Sequence, residues 1–333
     1  MVMSNLRHAF INCNRRFIVP LSVVIHSLLV HNRPDRPIVI HLAHDDDFDN
    51  DCRERIRAIV AAFPFAKVEF HDFMPIYRQH QRALTFEGNP WPPLVWAFPL
   101  FTMLLPDFTG NIVYLDADML VRKDLGELFD LDLGQGKWLA AAVNECAREK
   151  HVYLERYAWT AEYGDYFNNG TMVVDADAYR RENIAGKVLD LLAAHPNTFY
   201  GVDQDVQNMV LGNRTLRLPM RWNYHDTWLK QAARRDLSET NWDSHRPIDV
   251  LEAVVDPCIV HYMGRFKPWN YTHRPERGPY REEMKALGLL GNGLPGETPL
   301  KRIGGFLYDI LHALIKLRVR SRLRRMKVSA RKR

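Results

Sequence analysis

The sequence predicts an α/β protein built on a mostly parallel central sheet, and three observations carry that prediction. Short β-rich apolar runs alternate with helical patterns through residues 7 to 145. Helices of about ten or more residues between strands are the crossovers that parallel pairing requires. The chain of 333 residues, 47% hydrophobic and 26% charged, has the composition of a folded globular protein rather than a disordered or collagen-like one. At this length folding buries about 75% of the surface of the unfolded chain, enough for one large core and a smaller appendage.

Taken in order, Arg7 to Asn12 reads as a strand and Pro20 to His31 as a helix with proline near its first turn. Pro37 to Leu42 is a strand, Asp49 to Phe63 a helix, and Lys67 to His71 and Asn111 to Leu115 are strands. After Trp138 come a strand at Leu139 to Asn144, a polar aromatic stretch to Tyr166, a strand at Thr171 to Val174 and a helix at Ile184 to His195. Pro219 to Trp242, rich in Trp, Asn and His, reads as loop and cleft wall, and the Gly and Pro cluster of Gly288 to Pro299 as a linker. The expected organisation is a body of residues 1–287 in two halves, to about 145 and over 146–287, then a linker over 288–299 and a tail over 300–333.

The apolar run Ile18 to Val30 is 13 residues long and contains Ser22, His26 and Ser27, short of the ~18 that a membrane span needs. Arg15 and Arg16 mimic a signal peptide's basic lead, but no small-x-small cleavage site follows, so a buried helix is expected. Cys13, Cys52, Cys146 and Cys258 lack C-x-x-C spacing and read as reduced thiols of a cytosolic protein.

The net charge of +5 is unevenly spread: residues 300–333 hold twelve Lys or Arg against Asp309 alone, which leaves residues 1–299 at −6. Within the tail, Phe306, Leu307, Ile310, Leu311, Leu314 and Ile315 share a helical face opposite Asp309, His312 and Lys316. The twelve residues from Phe306 to Leu317 rise about 18 Å, too little to cross a ~30 Å hydrocarbon core. Such a segment suits lying on an anionic membrane, where each basic residue contributes about 1 kcal/mol. The apolar face has no use on nucleic acid, so none is expected as a partner. The alternative is a helix docked on the body.

The sharpest local feature is Ile112-Val113-Tyr114-Leu115-Asp116-Ala117-Asp118, an apolar strand ending in two carboxylates at i and i+2. In extended backbone alternate side chains share a face, so Asp116 and Asp118 can converge on one cation at the sheet's carboxyl edge. Carboxylates suit Mg²⁺ or Mn²⁺, ions that commonly complete their shells with substrate phosphates. A bare D-x-D is short, and a strand end whose acids merely begin a turn fits it as well. The single G-x-G-x-x-G match, Gly291 to Gly296, falls in the Gly and Pro linker rather than between a strand and a helix, and G-x-x-x-x-G-K-[ST] does not occur, so neither of the usual phosphate-binding glycine loops is available.

Three further segments follow in order: Tyr166-Phe167-Asn168-Asn169-Gly170 entering a strand, Asp203-Gln204-Asp205 opening a helix, and His261-Tyr262-Met263-Gly264-Arg265-Phe266-Lys267-Pro268-Trp269. With the D-x-D strand, this order resembles family 8 glycosyltransferases, in particular bacterial galactosyl- and glucosyltransferases of lipopolysaccharide and capsule synthesis, from about residue 7 to 275. The resemblance implies the nucleotide-diphospho-sugar transferase fold of the GT-A type, Mn²⁺ as cofactor with Mg²⁺ as the alternative, a UDP-hexose donor and a saccharide or glycolipid acceptor of the cell envelope. It also implies retention of the donor's anomeric configuration, with residues to about 145 as the nucleotide-binding half and 146–287 as the acceptor half; the basic tail adds the expectation of a peripheral place on the inner face of the cytoplasmic membrane.

Residue by residue, the resemblance makes Asp116, Asp118 and His261 the metal ligands. Asn12, Asn14, Asp116, Ala117, Asp118, Asn168, Asn169, Gly264 and Lys267 would line the donor, Lys267 and Gly264 meeting the diphosphate. Asp203 and Gln204 fall beside the donor sugar, Gln204 near its reactive face. Asp203 taken alone reads as a helix N-cap. An amide is a poor nucleophile, which favours same-face attack over a covalent intermediate. Three positions depart from the family: Asn12 or Asn14 stands for the acid that addresses uracil, Phe98 for an arginine, and Asn144 for an aspartate. Trp222, Tyr224, His225 and Trp228 suit the faces of an acceptor sugar, and equally a packed core. The rival activities are a metal-dependent nucleotidyltransferase, which would release pyrophosphate, and a catalytically inactive membrane-associated binding module.

Overall fold

The computed structural model describes residues 6–85, 91–143, 165–196, 198–199, 201–225, 247–271, 276–291, 294 and 297–331. Asn144, Cys146 and Trp228 lie outside the described residues. Ten strands are described: β1 Arg7–Cys13, β2 Ile38–His44, β3 Ala66–Asp72, β4 Asn111–Leu115, β5 Met119–Val121, β6 Leu139–Val143, β7 Phe167–Asp175, β8 Thr215–Leu218, β9 Tyr224–His225 and β10 Ile259–His261. The helices are α1 Ile18–His31, α2 Asn50–Ala61, α3 Met74–Gln79, α4 Gln81–Leu84, α5 Phe101–Leu104, α6 Gly126–Phe129, α7 Ala176–Arg181, α8 Ile184–Ala194, α9 Asp203–Leu211, α10 Pro247–Val255, α11 Arg277–Ala286 and α12 Pro299–Arg331.

Seven strands form one sheet in the order β3-β2-β1-β4-β7-β6-β8. Only β7 runs against the others: it pairs antiparallel with both β4 and β6, while β1, β2, β3 and β4 pair parallel and β8 follows β6. A second sheet, β5-β10-β9, is small, but it sets His261 opposite Met119 in an antiparallel register.

Alternation along the strands divides the core. Ala9, Ile11, Ile40, Leu42, Val113 and Leu115 point to the face covered by α1 and α2. Phe10, Ala43, Ile112, Tyr114, Met172 and Val174 point to the face covered by α5, α7, α8 and α9. The predicted burial of the first helix holds: Leu21, Val24, Ile25 and Leu28 pack on the sheet, and Val23 faces a third cluster with Tyr224, Val260 and Tyr262. A helix covered on two sides has no need of a polar face. Cys13, Cys52 and Cys258 are free and buried, as expected for reduced thiols.

On the second face, near the edge strand β3, polar rings replace apolar ones. His8 Nδ1 lies 3.0 Å from His41 Nε2, and His41 Nδ1 lies 3.2 Å from His71 Nε2. Burial, then the neighbouring imidazoles, pull His41 down to about 3, and burial lowers His8 and His71 as well.

The tail departs from expectation in length and in orientation. It is one 33-residue helix, about 50 Å long. Its predicted polar side is the side that docks: His312 is buried, Asp309 pairs with Arg277 at 2.5 Å, and Lys316 pairs with Glu276. Ile315 belongs to this inner side rather than to the outer apolar face, packing with Val319 and Leu323 into the third core cluster. Leu300, Ile303, Phe306, Leu307, Ile310, Leu311, Leu314 and Leu317 are exposed. No helix among the described residues is long and apolar enough to cross a membrane.

Candidate metal centre

The D-x-D segment is the turn between β4 and β5, so the change of sheet brings both acids to the mouth of the fold. β5 pairs with β10, and that pairing delivers His261 from a distant part of the chain. His261 Nε2 lies 3.2 Å from Asp118 Oδ1 and 3.6 Å from Asp116 Oδ2. The three residues thus present ligand atoms that all lie within 4.8 Å of one another.

A chain of amides sets the orientation of the imidazole. Asn168 Oδ1 accepts from Asn223 Nδ2 at 2.7 Å and from the Gly170 amide at 3.0 Å, so the Asn223 carbonyl oxygen faces His261 Nδ1 at 2.9 Å. That oxygen is placed to accept from Nδ1, so Nε2 is the ring nitrogen turned toward the two carboxylates. A positive centre shared by the three groups, a proton or a bound ion, suits that arrangement. A borderline ligand such as imidazole, joined to two hard oxygens and fixed by an amide behind it, is a donor set that fits Mn²⁺.

Charge around the centre is polarised. Burial, reinforced by Asp118, pushes Asp116 up to about 6 although His261 opposes it, and the Tyr114 hydroxyl lies 2.7 Å from its Oδ1. Burial alone would raise Asp118 too, yet His261 and Lys267 hold it well below the usual carboxylate range. Lys267 donates to Asp118 and, at 2.7 Å, to the Tyr262 carbonyl. Phe98 is buried with its ring centroid 4.2 Å from that of Tyr114. It supports the tyrosine that holds Asp116.

The antiparallel direction of β7 brings its first residues to the same edge, because Leu115 pairs with Thr171. Asn168 Nδ2 and the Asn169 amide donate to Gln204 Oε1 at 2.9 and 3.3 Å, and Gln204 Nε2 reaches the Tyr166 hydroxyl at 2.8 Å. Both ends of the Gln204 amide are therefore engaged by protein. Asn169 Nδ2 donates to Asp203 Oδ2 at 2.5 Å. Asp203 is not the N-cap that its position suggests: it is the first helical residue, and Val202 before it takes φ +49°. A β-branched residue in that region is strained, and its place at the entry to α9 ties the strain to the site.

Gly264 takes φ +77°, and a Cβ added there would meet nothing within 4 Å, so the backbone demands glycine and leaves open space. Asn12 donates to the Leu94 carbonyl at 2.8 Å and lies 2.6 Å from the Tyr114 hydroxyl, while Asn14 Oδ1 is buried without a partner. Trp222 and Tyr224 are core residues, and His225 is buried edge-on to His261 at 5.4 Å. These three do not form an acceptor wall. Sequence reasoning does not single out Tyr114 or Asn223 as site residues, although Tyr114 stands two residues before Asp116 on the same strand face.

Gly170 sets a steric limit behind the imidazole. A Cβ there would fall 2.5 Å from His261 Cε1 and 2.7 Å from Met119 Cε. Gly170→Ala is expected to displace the buried ring and weaken Mn²⁺ binding by at least about tenfold, the scale for loss of a supporting contact. An unchanged Mn²⁺ titration would show that the ring has room.

Burial, then the charge of Asp116, pushes Asp203 up to about 8, although Asn169 and the amides of Asp203 and Gln204 oppose the shift. The native state thus keeps a proton that the unfolded chain releases near pH 4, and the contribution of Asp203 to the stability of metal-free protein falls as pH rises from about 4 to about 8. Asp203→Asn removes this proton, so its melting temperature is expected to gain on that of wild type as pH rises over that window. Parallel melting profiles would refute the assignment.

An acid pair and an imidazole thus meet at the carboxyl edge of a mixed α/β sheet, beside an amide-lined strand end, in an arrangement able to hold a divalent ion. The chain belongs to glycosyl transferase family 8, whose model matches residues 8–273. General stress protein A of Bacillus subtilis is 33% identical over 182 residues, covering 52% of this chain and 56% of the relative. The lipopolysaccharide 1,2-glucosyltransferase of Escherichia coli is 28% identical over 181 residues, with 53% and 50% coverage. The chain therefore spans about half the length of these two relatives. The lipopolysaccharide 1,3-galactosyltransferase of Salmonella typhimurium is 25% identical, with 77% and 71% coverage. The galactosyltransferase LgtC, solved with donor and acceptor sugar analogs, shares the fold at TM-score 0.67 and 20% identity, with 90% of this chain and 99% of LgtC aligned.

Proposed function

We propose that the chain is a retaining hexosyltransferase, dependent on Mn²⁺ with Mg²⁺ as the weaker alternative, that moves galactose or glucose from a UDP-sugar to a saccharide acceptor of the cell envelope such as lipopolysaccharide core or capsule. The observation that carries this reading is the convergence of Asp116, Asp118 and His261, separated by up to 145 residues in sequence, on one point. When bound there, the ion withdraws negative charge from the departing diphosphate. Lys267 presents an ammonium to the same region, and Gly264 gives the backbone room for close approach. The unpartnered acceptor on Asn14 suits the N–H donor of a uracil edge, and Asn12 keeps one N–H and one lone pair for it.

Asn168, Asn169, Asp203 and Gln204 form the wall for the donor hexose. Because Gln204 Oε1 already accepts two N–H groups, it is held as a positioning dipole rather than freed as a nucleophile, in keeping with same-face attack through an oxocarbenium-like state. Trapping a glycosylated Gln204 or Asp203 would count against that route. The outward apolar face of α12 and its basic C-terminal turns favour residence on an anionic membrane, at the cytoplasmic face where a lipid-linked acceptor would be met. The deciding experiment is a panel of UDP-sugars assayed for Mn²⁺-dependent UDP release. Turnover with a UDP-hexose supports the proposal, whereas pyrophosphate release would mean nucleotidyl transfer, and no metal-dependent turnover would mean a binding module.

A further inference from the structure

The imidazole ladder at the sheet margin has a composition that packing alone does not call for. His41 pairs in register with Glu69 on β3 and with Phe10 on β1. His8 lies two residues before Phe10 and His71 two after Glu69, so all four polar side chains leave the same face of three adjacent strands. His41 Nδ1 is 3.2 Å from His71 Nε2 and 3.4 Å from Glu69 Oε2, and His71 Nε2 is 4.0 Å from the same oxygen.

The geometry points to a second metal site, in which His41, Glu69 and His71 hold a borderline divalent cation such as Zn²⁺ and fasten edge strand β3 to β2. Tetrahedral coordination with bonds of about 2.0–2.2 Å places its donor atoms about 3.3–3.6 Å apart. One of the three separations, 3.4 Å, falls in that range and a second, 3.2 Å, lies just below it. The third is set by Glu69, whose side chain is 53% exposed and free to close the difference. His41 Nε2 is engaged by His8 Nδ1 at 3.0 Å, so its Nδ1 is the nitrogen turned toward Glu69 and His71, and on ion binding His8 would serve as the outer acceptor that a metal-bound histidine commonly has. Phe108 packs edge-on against the rings of His8 and His41, at 4.8 and 5.7 Å, and closes their apolar side. The exposed side at Glu69 leaves a fourth position for water. Two imidazoles with one carboxylate favour Zn²⁺ over Mg²⁺ or Mn²⁺. The site shares no residue with the Asp116 centre, and β3 stands three strands from β4, about 14 Å across the sheet.

The test is calorimetric titration of the chelator-stripped full chain with Zn²⁺ alone, repeated with Co²⁺ for its visible absorption. Wild type is expected to bind Zn²⁺ both here and at the Asp116 centre, whereas Asp118→Asn is expected to keep one tight equivalent and to melt at a higher temperature with Zn²⁺. Added to Asp118→Asn, Glu69→Gln, a surface change that leaves the fold in place, or His71→Asn should weaken the remaining binding at least tenfold and lose the melting shift. Two outcomes would overturn the site: Zn²⁺ binding that disappears in Asp118→Asn, or binding that Glu69→Gln leaves unchanged in that background.

Discussion

Asp118→Asn is expected to lower Mn²⁺-dependent sugar transfer by about a thousandfold or more while leaving the fold intact. The substitution keeps the volume of the side chain but removes the charge that meets both His261 Nε2, at 3.2 Å, and the Lys267 ammonium. A bound ion contributes several kcal/mol of charge stabilisation to a reaction of this kind, and each 1.36 kcal/mol is a factor of ten in rate. Losing one of three protein ligands forfeits most of that. Lys267 would keep only the Tyr262 carbonyl as partner, so its ammonium would be held less firmly toward the leaving group. Mn²⁺ affinity followed by calorimetry, circular dichroism for the fold, and UDP release together separate loss of the ion from loss of structure. A variant that turns over within a few-fold of wild type would remove Asp118 from the mechanism.

The second large effect belongs to α12. Combined replacement of Phe306, Leu307, Leu311 and Leu314 by Ser is expected to reduce partition onto anionic vesicles by at least about a hundredfold. Each large apolar side chain transferred from water contributes about 1.5–3 kcal/mol when fully buried, and a hundredfold corresponds to only about 2.8 kcal/mol. The inward side of the helix is untouched, so melting temperature and UDP release should stay at wild-type values. Deleting residues 300–333 is a poorer test. It would strip Val319 and Leu323 from the third core cluster and break the pairs of Arg277 with Asp309 and Lys327 with Glu252. Unchanged vesicle binding by the fourfold variant would show that the basic residues alone hold the protein, or that it does not reside on membranes.

The strands are legible in the sequence because their alternation is strict. Asn111–Leu115 and Leu139–Val143 lie almost where the apolar runs put them, and α1 starts two residues before the helical pattern does. Hydropathy shortens β7, since Asn168, Asn169 and Gly170 interrupt the apolar pattern while the strand runs back to Phe167, which pairs with Val143 across a register shift. The side chains of Asn168 and Asn169 face the site rather than the core, so an apolar run does not report them. The D-x-D is visible locally, but His261 is not: its place depends on the three-strand pairing β5-β10-β9, which is non-local. Only the resemblance supplies it. The tail misleads for a different reason. A face opposite the apolar stripe looks solvent-facing, yet Asp309 and Lys316 find buried or half-buried partners in Arg277 and Glu276, and those ion pairs turn the apolar stripe outward.

The register of β10 against β5 also dictates when this molecule acquires its chemistry. The parallel strands β1 to β4 are complete once Leu115 is made, but His261, the imidazole of the proposed cage, is synthesised only much later in the chain. A nascent chain still on the ribosome can gather these strands without gripping an ion. Capture of an ion there would thereby be a late event, and would favour the folded molecule by mass action over any partly opened form.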